Sequence, residues 1–310
     1  MTAVPDEVSA DEVEVVEYTD PLCPWSWGAE PVLRGLRAAL AGRVRWRRVY
    51  CVLFDDHDDD PAPDPAAETA WYARYVEDIS GHTHAPRAAN LRRVAASSWP
   101  SSLVAKAAEA QGDDVADRVL RRLRETVFVV GEPADTADLA LSAVRGVPGL
   151  DLARLAVDAA SDAVRDRVRA DHAEARRPVA EVLSVRAGSP HPGAAKETPD
   201  GGHRYALPTV LVRSAGGVRA VPGWRSYGEY ARAVGELAPG VSVAPVAPLD
   251  PAAALARYRS LTEPERELLT RGPWPPSEAV RVETGNGPLW LHPEEAVTHP
   301  ATRRGTPAAP

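Results

Sequence analysis

The run DPLCPWSWG, residues 20–28, sets a cysteine, Cys23, directly before Pro24 and three residues before Ser26. Proline there suits the first position of a helix, where no backbone donor is needed, and leaves the N–H groups of Trp25 and Ser26 aimed back at the sulfur. Unpaired amides and the positive end of a helix dipole favour thiolate over thiol. The expectation is a Cys23 pKa near about 6 instead of about 8.5, a difference of roughly 3 kcal/mol. Ser26 can donate its hydroxyl to that anion. It cannot close a disulfide, so a mixed disulfide at Cys23 would persist until an outside thiol, or Cys51, attacked it. This is monothiol chemistry, with the Cys23 thiolate attacking a disulfide, a thiol adduct or an electrophile.

Cys51 is the other cysteine of the chain. A resolving role requires the two Cα atoms within about 7 Å; the plainer expectation is a buried residue behaving as a small apolar side chain. Two cysteines neither make a disulfide scaffold nor supply a zinc site alone. His57 stands in DDHDDD, which reads as a solvated acidic loop, and His82 and His84 have no second cluster to join. No metal and no bound cofactor are expected, and a glycine-rich phosphate loop is absent.

Composition narrows the partners. A chain of 310 residues has room for two domains or for one with a large insertion. Its net charge of −8 repels phosphate backbones and anionic membrane surfaces, so small molecules or proteins are the expected partners, with no nucleic acid and no membrane. The first residues carry acids where a signal peptide would carry bases and an apolar stretch, and no long apolar run follows. A cytoplasmic protein is expected, where structural disulfides are rare.

The elements that must position Cys23 follow from periodicity. VEVVEYT (13–19) reads as a buried strand, Trp25–Leu40 as a helix stopped by Gly42, and VRWRRVYCVLF (44–54) as a second strand in parallel pairing. An acidic loop from Asp55 to Pro65 leads into helices at 71–79, 88–95, 101–111, 114–129, 136–144, 151–159 and 161–176, with Ser102, Asp151 and Ser161 as N-caps. Residues 178–204 read as an extended loop. YALPTVLV (205–212), a Gly216–Gly217 turn and VRAV form a hairpin, and Ser226–Leu237 a closing helix. Beyond a proline-rich linker come helices at 252–259 and 263–269, a hairpin tipped by Gly-Asn-Gly, and a tail disordered from about Ala301.

The order of strand, C-P-W-S at a helix start, second strand, helical insertion, then Leu207-Pro208-Thr209 opening a hairpin and a last helix resembles the DsbA-like branch of the thioredoxin superfamily, over about residues 11–240. SSWPSSLVAKAAEAQG (97–112) is similar to a recurrent stretch of the insert in cytoplasmic members. The resemblance implies an α/β, thioredoxin-like fold: residues 11–56 and 205–240 as the thioredoxin-like domain and 57–204 as an all-helical insertion. Residues 241–310 then form a linker, a small winged-helix-like appendage and the tail. That appendage holds 7 arginines and no lysine against 8 acids from residue 250 onward, a poor balance for DNA, and reads as a packing or dimerisation element of a possible homodimer.

Further implications concern the site. Pro208 is expected in cis, facing Cys23, so that Leu207 offers its backbone N–H and C=O to an extended substrate. Pro24, Trp25, Leu207 and Thr209 would line the substrate, Trp27 would lie in the wall or the core, and Trp99 would cap the cleft. Oxidoreductase members carry C-P-x-C, so Ser26 departs from the dithiol pattern. The resemblance implies a thiol-disulfide oxidoreductase with a low-molecular-weight thiol of glutathione or mycothiol type as co-substrate. It also leaves open a thiol-cofactor transferase or isomerase like the kappa-class glutathione transferases, and a non-catalytic protein-binding adaptor. The substrate is then a small-molecule thiol or disulfide, or a protein thiol.

Overall fold

The computed structural model describes residues 13–55, 63–185, 190, 191 and 193–303. Strand β1 (Glu14–Thr19) is buried along its whole length and runs between two neighbours: parallel β2 (Arg45–Tyr50) and antiparallel β5 (Thr209–Ser214). β6 (Gly217–Pro222) pairs antiparallel with β5, giving the order β2-β1-β5-β6. Alternation along β1 sorts its side chains. Val15 joins Leu33, Leu36 and Leu40 of helix α1 (Pro24–Leu40) and Tyr230 and Val234 of helix α9 (Tyr227–Leu237), while Val16 and Tyr18 face Val49, Tyr205 and Leu211. A central strand is buried on both faces, and the two glutamates this one carries, Glu14 and Glu17, are paired with arginines of β2.

The second strand ends earlier than its apolar run suggests. Val52 takes a positive φ of 48°, and the next amides bond to side chains: Leu53 N–H to Asp20 at 2.8 Å, Phe54 N–H to Ser98 at 3.2 Å. Cys51 therefore sits one residue past β2, its N–H donating to Thr19 at 2.9 Å. The β5 strand likewise starts only at Thr209, because Tyr205 donates instead to the Ala175 carbonyl. The hairpin turn falls on Ala215 and Gly216, with Gly217 already paired to Ser214.

The insertion holds helices α2 (Pro65–Thr83), α3 (Trp99–Ala108), α4 (Asp113–Phe128), α5 (Ala137–Ala143), α6 (Leu152–Ala159), α7 (Asp162–Ala175) and the single turn α8 (Ala180–Leu183). Asp151 and Ser161 cap α6 and α7 as expected. Ser102 does not cap α3: the helix begins at Trp99, and the Ser102 hydroxyl is buried inside it. Residues 88–95 are not helical. The segment answers to distant partners, the Arg92 N–H to Gly131 and the Arg93 guanidinium to the Asp135 carboxylate, so a helical-looking periodicity loses to tertiary hydrogen bonds. The loop at 178–204 contains α8 and a two-residue ladder of β3 (Lys196–Glu197) with β4 (His203–Arg204). His57 lies outside the described residues.

At the C-terminal end, α10 (Pro251–Tyr258), β7 (Ser260–Thr262), α11 (Glu263–Leu269), β8 (Val280–Glu283) and β9 (Pro288–Leu291) form a three-stranded unit of order β7-β9-β8, followed by α12 (Pro293–Thr298) and α13 (Pro300–Arg303). Ala301, where a disordered tail is expected to begin, lies in α13, and Thr302 bonds to Ala296 at 2.6 Å; residues 304–310 lie outside the described residues. Buried ion pairs bolt this unit to α1 and α4. Arg121 forks onto Glu265 at 2.9 and 2.8 Å, Arg34 reaches Glu265 at 2.9 Å, Arg122 reaches Glu295, and His299 meets Glu125 at 2.9 Å. Among the described residues no helix is long and apolar enough to cross a membrane.

Candidate active site

Cys23 is the N-cap of α1, in extended backbone, with Pro24 opening the helix. Its Sγ accepts from the Ser26 N–H at 3.5 Å, and its thiol points at the Leu207 carbonyl, 3.9 Å away. The Leu207–Pro208 peptide bond is cis. Thr209, fully buried, donates its hydroxyl to Ala206 at 2.6 Å and so fastens the loop from behind. Leu207 and Pro208 thus stand across the cleft from the sulfur, while Thr209 supports them and does not face a substrate.

The helix start is also fixed from below. Asp20 is fully buried and accepts from Leu22 N–H at 2.7 Å, Leu53 N–H at 2.8 Å and the Ser98 hydroxyl at 3.0 Å, tying the ends of β1, β2 and the start of α3 to one carboxylate. Burial nonetheless raises its pKa to about 6. Farther along α1, Gly28 is required by a close approach: a Cβ there would come within 2.5 Å of the Thr83 methyl on α2.

The Cys23 thiol does not have the depressed pKa expected from its sequence position. Only 3% of the residue is exposed, and desolvation raises the thiol above its ordinary value. The Ser26 hydroxyl and N–H pull the other way, and the Asp20 charge adds to the rise. A helix dipole acts on whatever charge is present; a closed, dry cleft makes the charge itself costly. The Ser26 hydroxyl, wholly buried, has no hydrogen-bond acceptor while the sulfur is a thiol, and it favours the anion.

Aromatic rings enclose the sulfur. Trp25 donates its indole N–H to the Tyr75 hydroxyl at 3.1 Å, meets His191 edge-on at 4.9 Å between ring centres, and lies 6.5 Å from His82 and 6.4 Å from Trp224. Neutral His191 takes the Gly193 N–H on Nδ1 at 3.0 Å, so its Nε2–H donates to the Leu207 carbonyl at 3.0 Å. Burial, with Lys196 and Arg225 nearby, lowers its pKa to about 4.

Three further residues singled out in the sequence lie away from the sulfur's immediate surroundings or behind it. Trp27 turns into the core, stacked on Phe128 at 6.2 Å with its N–H on the Pro86 carbonyl at 2.8 Å. Trp99 lies against Asp55, at 3.1 Å, and His172, at 5.6 Å; the rings packed around Trp25 are instead His82, His191 and Trp224. Cys51 shares the apolar cluster of Cys23, is fully buried, and burial raises its thiol well above the usual range. Both cysteines are free. Sequence reasoning missed Asp20, although it stands in the motif, and His191, Trp224, Tyr75 and His82, which reach the site only through tertiary packing. Among the described residues no cluster of His, Cys, Asp and Glu has the arrangement of a metal site.

Comparison with known proteins agrees with this geometry. The family model described as thioredoxin matches residues 17–177. The ClpXP adapter protein SpxH of Shouchella clausii is 28% identical over 162 residues, 51% of this chain and 52% of that protein; SpxH of Halalkalibacterium halodurans is 27% identical over 162 residues, 53% of its length. The chain thus spans about half the length of the curated relatives it matches. Among solved structures, one from Nitrosomonas europaea, provisionally described as a protein disulfide isomerase, superposes with a TM-score of 0.52 at 15% identity, covering 74% of this chain and 97% of that one. The cytosolic disulfide reductase DsbM of Pseudomonas aeruginosa gives 0.49 at 17% identity, covering 70% and 91%. With the second half of β1, the Cys23 helix start, α1 and β2 inside the matched segment, the chain belongs to the thioredoxin family and has a thioredoxin-like fold with a large helical insertion.

Proposed function

We propose that the protein is a thiol-disulfide oxidoreductase that works through Cys23 alone. The observation that carries this reading is the placement of Sγ at the head of α1, between the Ser26 N–H and the carbonyl of a cis Leu207–Pro208 bond, with a serine where a second sulfur would stand. Cys23 attacks one sulfur of a disulfide; the new Cys23–S bond forms as the old S–S bond breaks, and the leaving sulfur is reduced to a thiol and takes the proton that Cys23 gives up. A low-molecular-weight thiol of the cytoplasm, of glutathione or mycothiol type, then releases the adduct and restores Cys23. Cys51 takes no step in this exchange, because burial holds its thiol well above the usual range, which leaves little thiolate to resolve an adduct.

The test is mass spectrometry after exposure to a small disulfide. A single adduct on Cys23 that persists until a thiol is added is the expected result; no adduct on the native protein overturns the reading. A second reading, a binding adaptor, draws on the two SpxH relatives and on the low exposure of Cys23. It predicts a Cys23 that becomes modifiable only when the protein is unfolded.

A further inference from the structure

Substrate access to this site is restricted by a histidine from outside the thioredoxin-like core. Polypeptide substrates of a cis-proline cleft dock by strand addition, so they need free backbone acceptors beside the reactive sulfur. Here the Leu207 and Pro208 carbonyls both have partners. The Leu207 oxygen accepts from His191 Nε2 at 3.0 Å; the Cys23 thiol, 3.9 Å away, ceases to donate once it ionises for attack, so the histidine is the partner that stays. Pro208 accepts from the Gly223 N–H at 2.7 Å.

The histidine is firmly seated. Arg225 donates to its carbonyl at 2.7 Å and Gly193 N–H to its Nδ1 at 3.0 Å. Its ring lies edge-on to Trp25. At Gly223, the residue after β6, where φ is +86°, an added Cβ would come within 2.7 Å of Nδ1, so the backbone there packs directly on the histidine.

We infer that His191 acts as a specificity-determining residue that excludes extended polypeptides, so that the substrate class of Cys23 is a small disulfide paired with a small thiol. The inference rests on the exchange chemistry proposed above. A small disulfide needs the sulfur and the aromatic wall but no backbone edge. In the exchange the disulfide is reduced to one free thiol and one Cys23-bound half, and the second small thiol removes that half as a new small disulfide, returning Cys23 to the thiol.

The experiment compares two probes of equal chemistry: bis(2-hydroxyethyl) disulfide, and an unstructured peptide whose one cysteine carries the same 2-hydroxyethyl disulfide. Adduct formation at Cys23 is timed by mass spectrometry for the wild type, His191→Ala and His191→Gln. The wild type is expected to favour the small probe by at least about 30-fold; His191→Ala should bring the ratio below about 3-fold by a gain on the peptide. His191→Gln, which keeps a donor for the Leu207 carbonyl, should restore most of the preference. Equal rates on both probes in the wild type, or a ratio unchanged in His191→Ala, overturn the specificity role alone. Inertness of the wild type to both probes overturns the exchange chemistry of Cys23, and the inference with it.

Discussion

Asn286, at the tip of the β8–β9 hairpin, donates its side-chain amide to the Ala85 carbonyl at 3.1 Å, and the adjacent Pro86 carbonyl takes the Trp27 indole at 2.8 Å. One side chain of the C-terminal unit thus clips the end of α2, whose Tyr75 and His82 face Trp25. It also donates to Ser80 at 2.6 Å and accepts from Arg87 N–H at 2.7 Å. The hairpin tip is therefore occupied within the molecule and not presented outward as a wing.

Replacing Asn286 by alanine removes these bonds; Ser80 and Ala85 keep their mutual bond at 2.6 Å, and the Arg87 N–H loses its acceptor. A loss of about 1 kcal/mol is expected, the net worth of a typical hydrogen bond. Urea unfolding followed by circular dichroism measures it; a midpoint within error of wild type would show that the clip contributes nothing.

Ser26→Cys restores the spacing of a dithiol at the head of α1. The expected product after mild oxidation is an intramolecular disulfide between Cys23 and the introduced cysteine, seen as a mass two hydrogens lower and a loss of titratable thiol. Ser26→Ala, in contrast, should move the pH midpoint of Cys23 alkylation upward, because the hydroxyl favours the anion.

Asp20 predicts a pH dependence whose sign is fixed by its raised pKa. The native carboxyl, at about 6, holds its proton more tightly than the unfolded one, at 3.8, so its contribution to stability is largest below that value and is lost as pH rises through about 6. Asp20→Asn abolishes this loss: relative to wild type its stability should improve by up to roughly 3 kcal/mol between about pH 4 and pH 6, whatever the constant offset from the altered hydrogen bonds. The Cys23 alkylation midpoint should fall in the same variant, because the Asp20 charge raises it. Denaturation curves that stay parallel across this range would refute the assignment.

Glu30 and Glu125 work in the opposite direction. Arginine charges, led by Arg37 for Glu30 and Arg121 for Glu125, hold both carboxyls well below the ordinary range despite their burial. Stability from these groups is complete above about pH 4.5 and is lost as pH falls toward their native values. Glu265→Ala removes the carboxylate that Arg34 and Arg121 share, leaving Arg121 with Glu125 and Arg34 with the Ser260 carbonyl and Glu30, and should cost about 3 kcal/mol. Thermal unfolding at neutral pH checks the variant; a drop below about 1 kcal/mol would mean the arginines find water or other partners.

The parts of the fold legible in the sequence are those with local causes. The β-branched run of β1, proline at the first turn of α1 and the Asp151 and Ser161 caps each carry their signal within a few residues. Cys23 and Leu207-Pro208 were legible because type and order suffice to pair them. What escaped was set by long-range packing. The segment 88–95 has helical spacing but its Arg92 amide bonds to Gly131 and its Arg93 guanidinium to Asp135, the buried Glu17 and Glu30 face arginines from distant segments, and His191 stands in a loop without any pattern. The pKa of Cys23 followed the same division: the helix dipole is local, whereas the burial that raises the thiol is set by tertiary packing.

The mixed seam between the C-terminal unit and the older-looking core bears on where this chain can be divided. Leu289 and Leu291 complete the cluster around Leu22, Trp27 and Phe128, while Glu265 and Glu295 neutralise guanidinium groups of α1 and α4. A fragment trimmed before Pro251 would carry bare indole and phenyl rings beside uncompensated cations, a combination that invites clumping during expression. The smallest piece that folds by itself is thus longer than the thioredoxin outline alone.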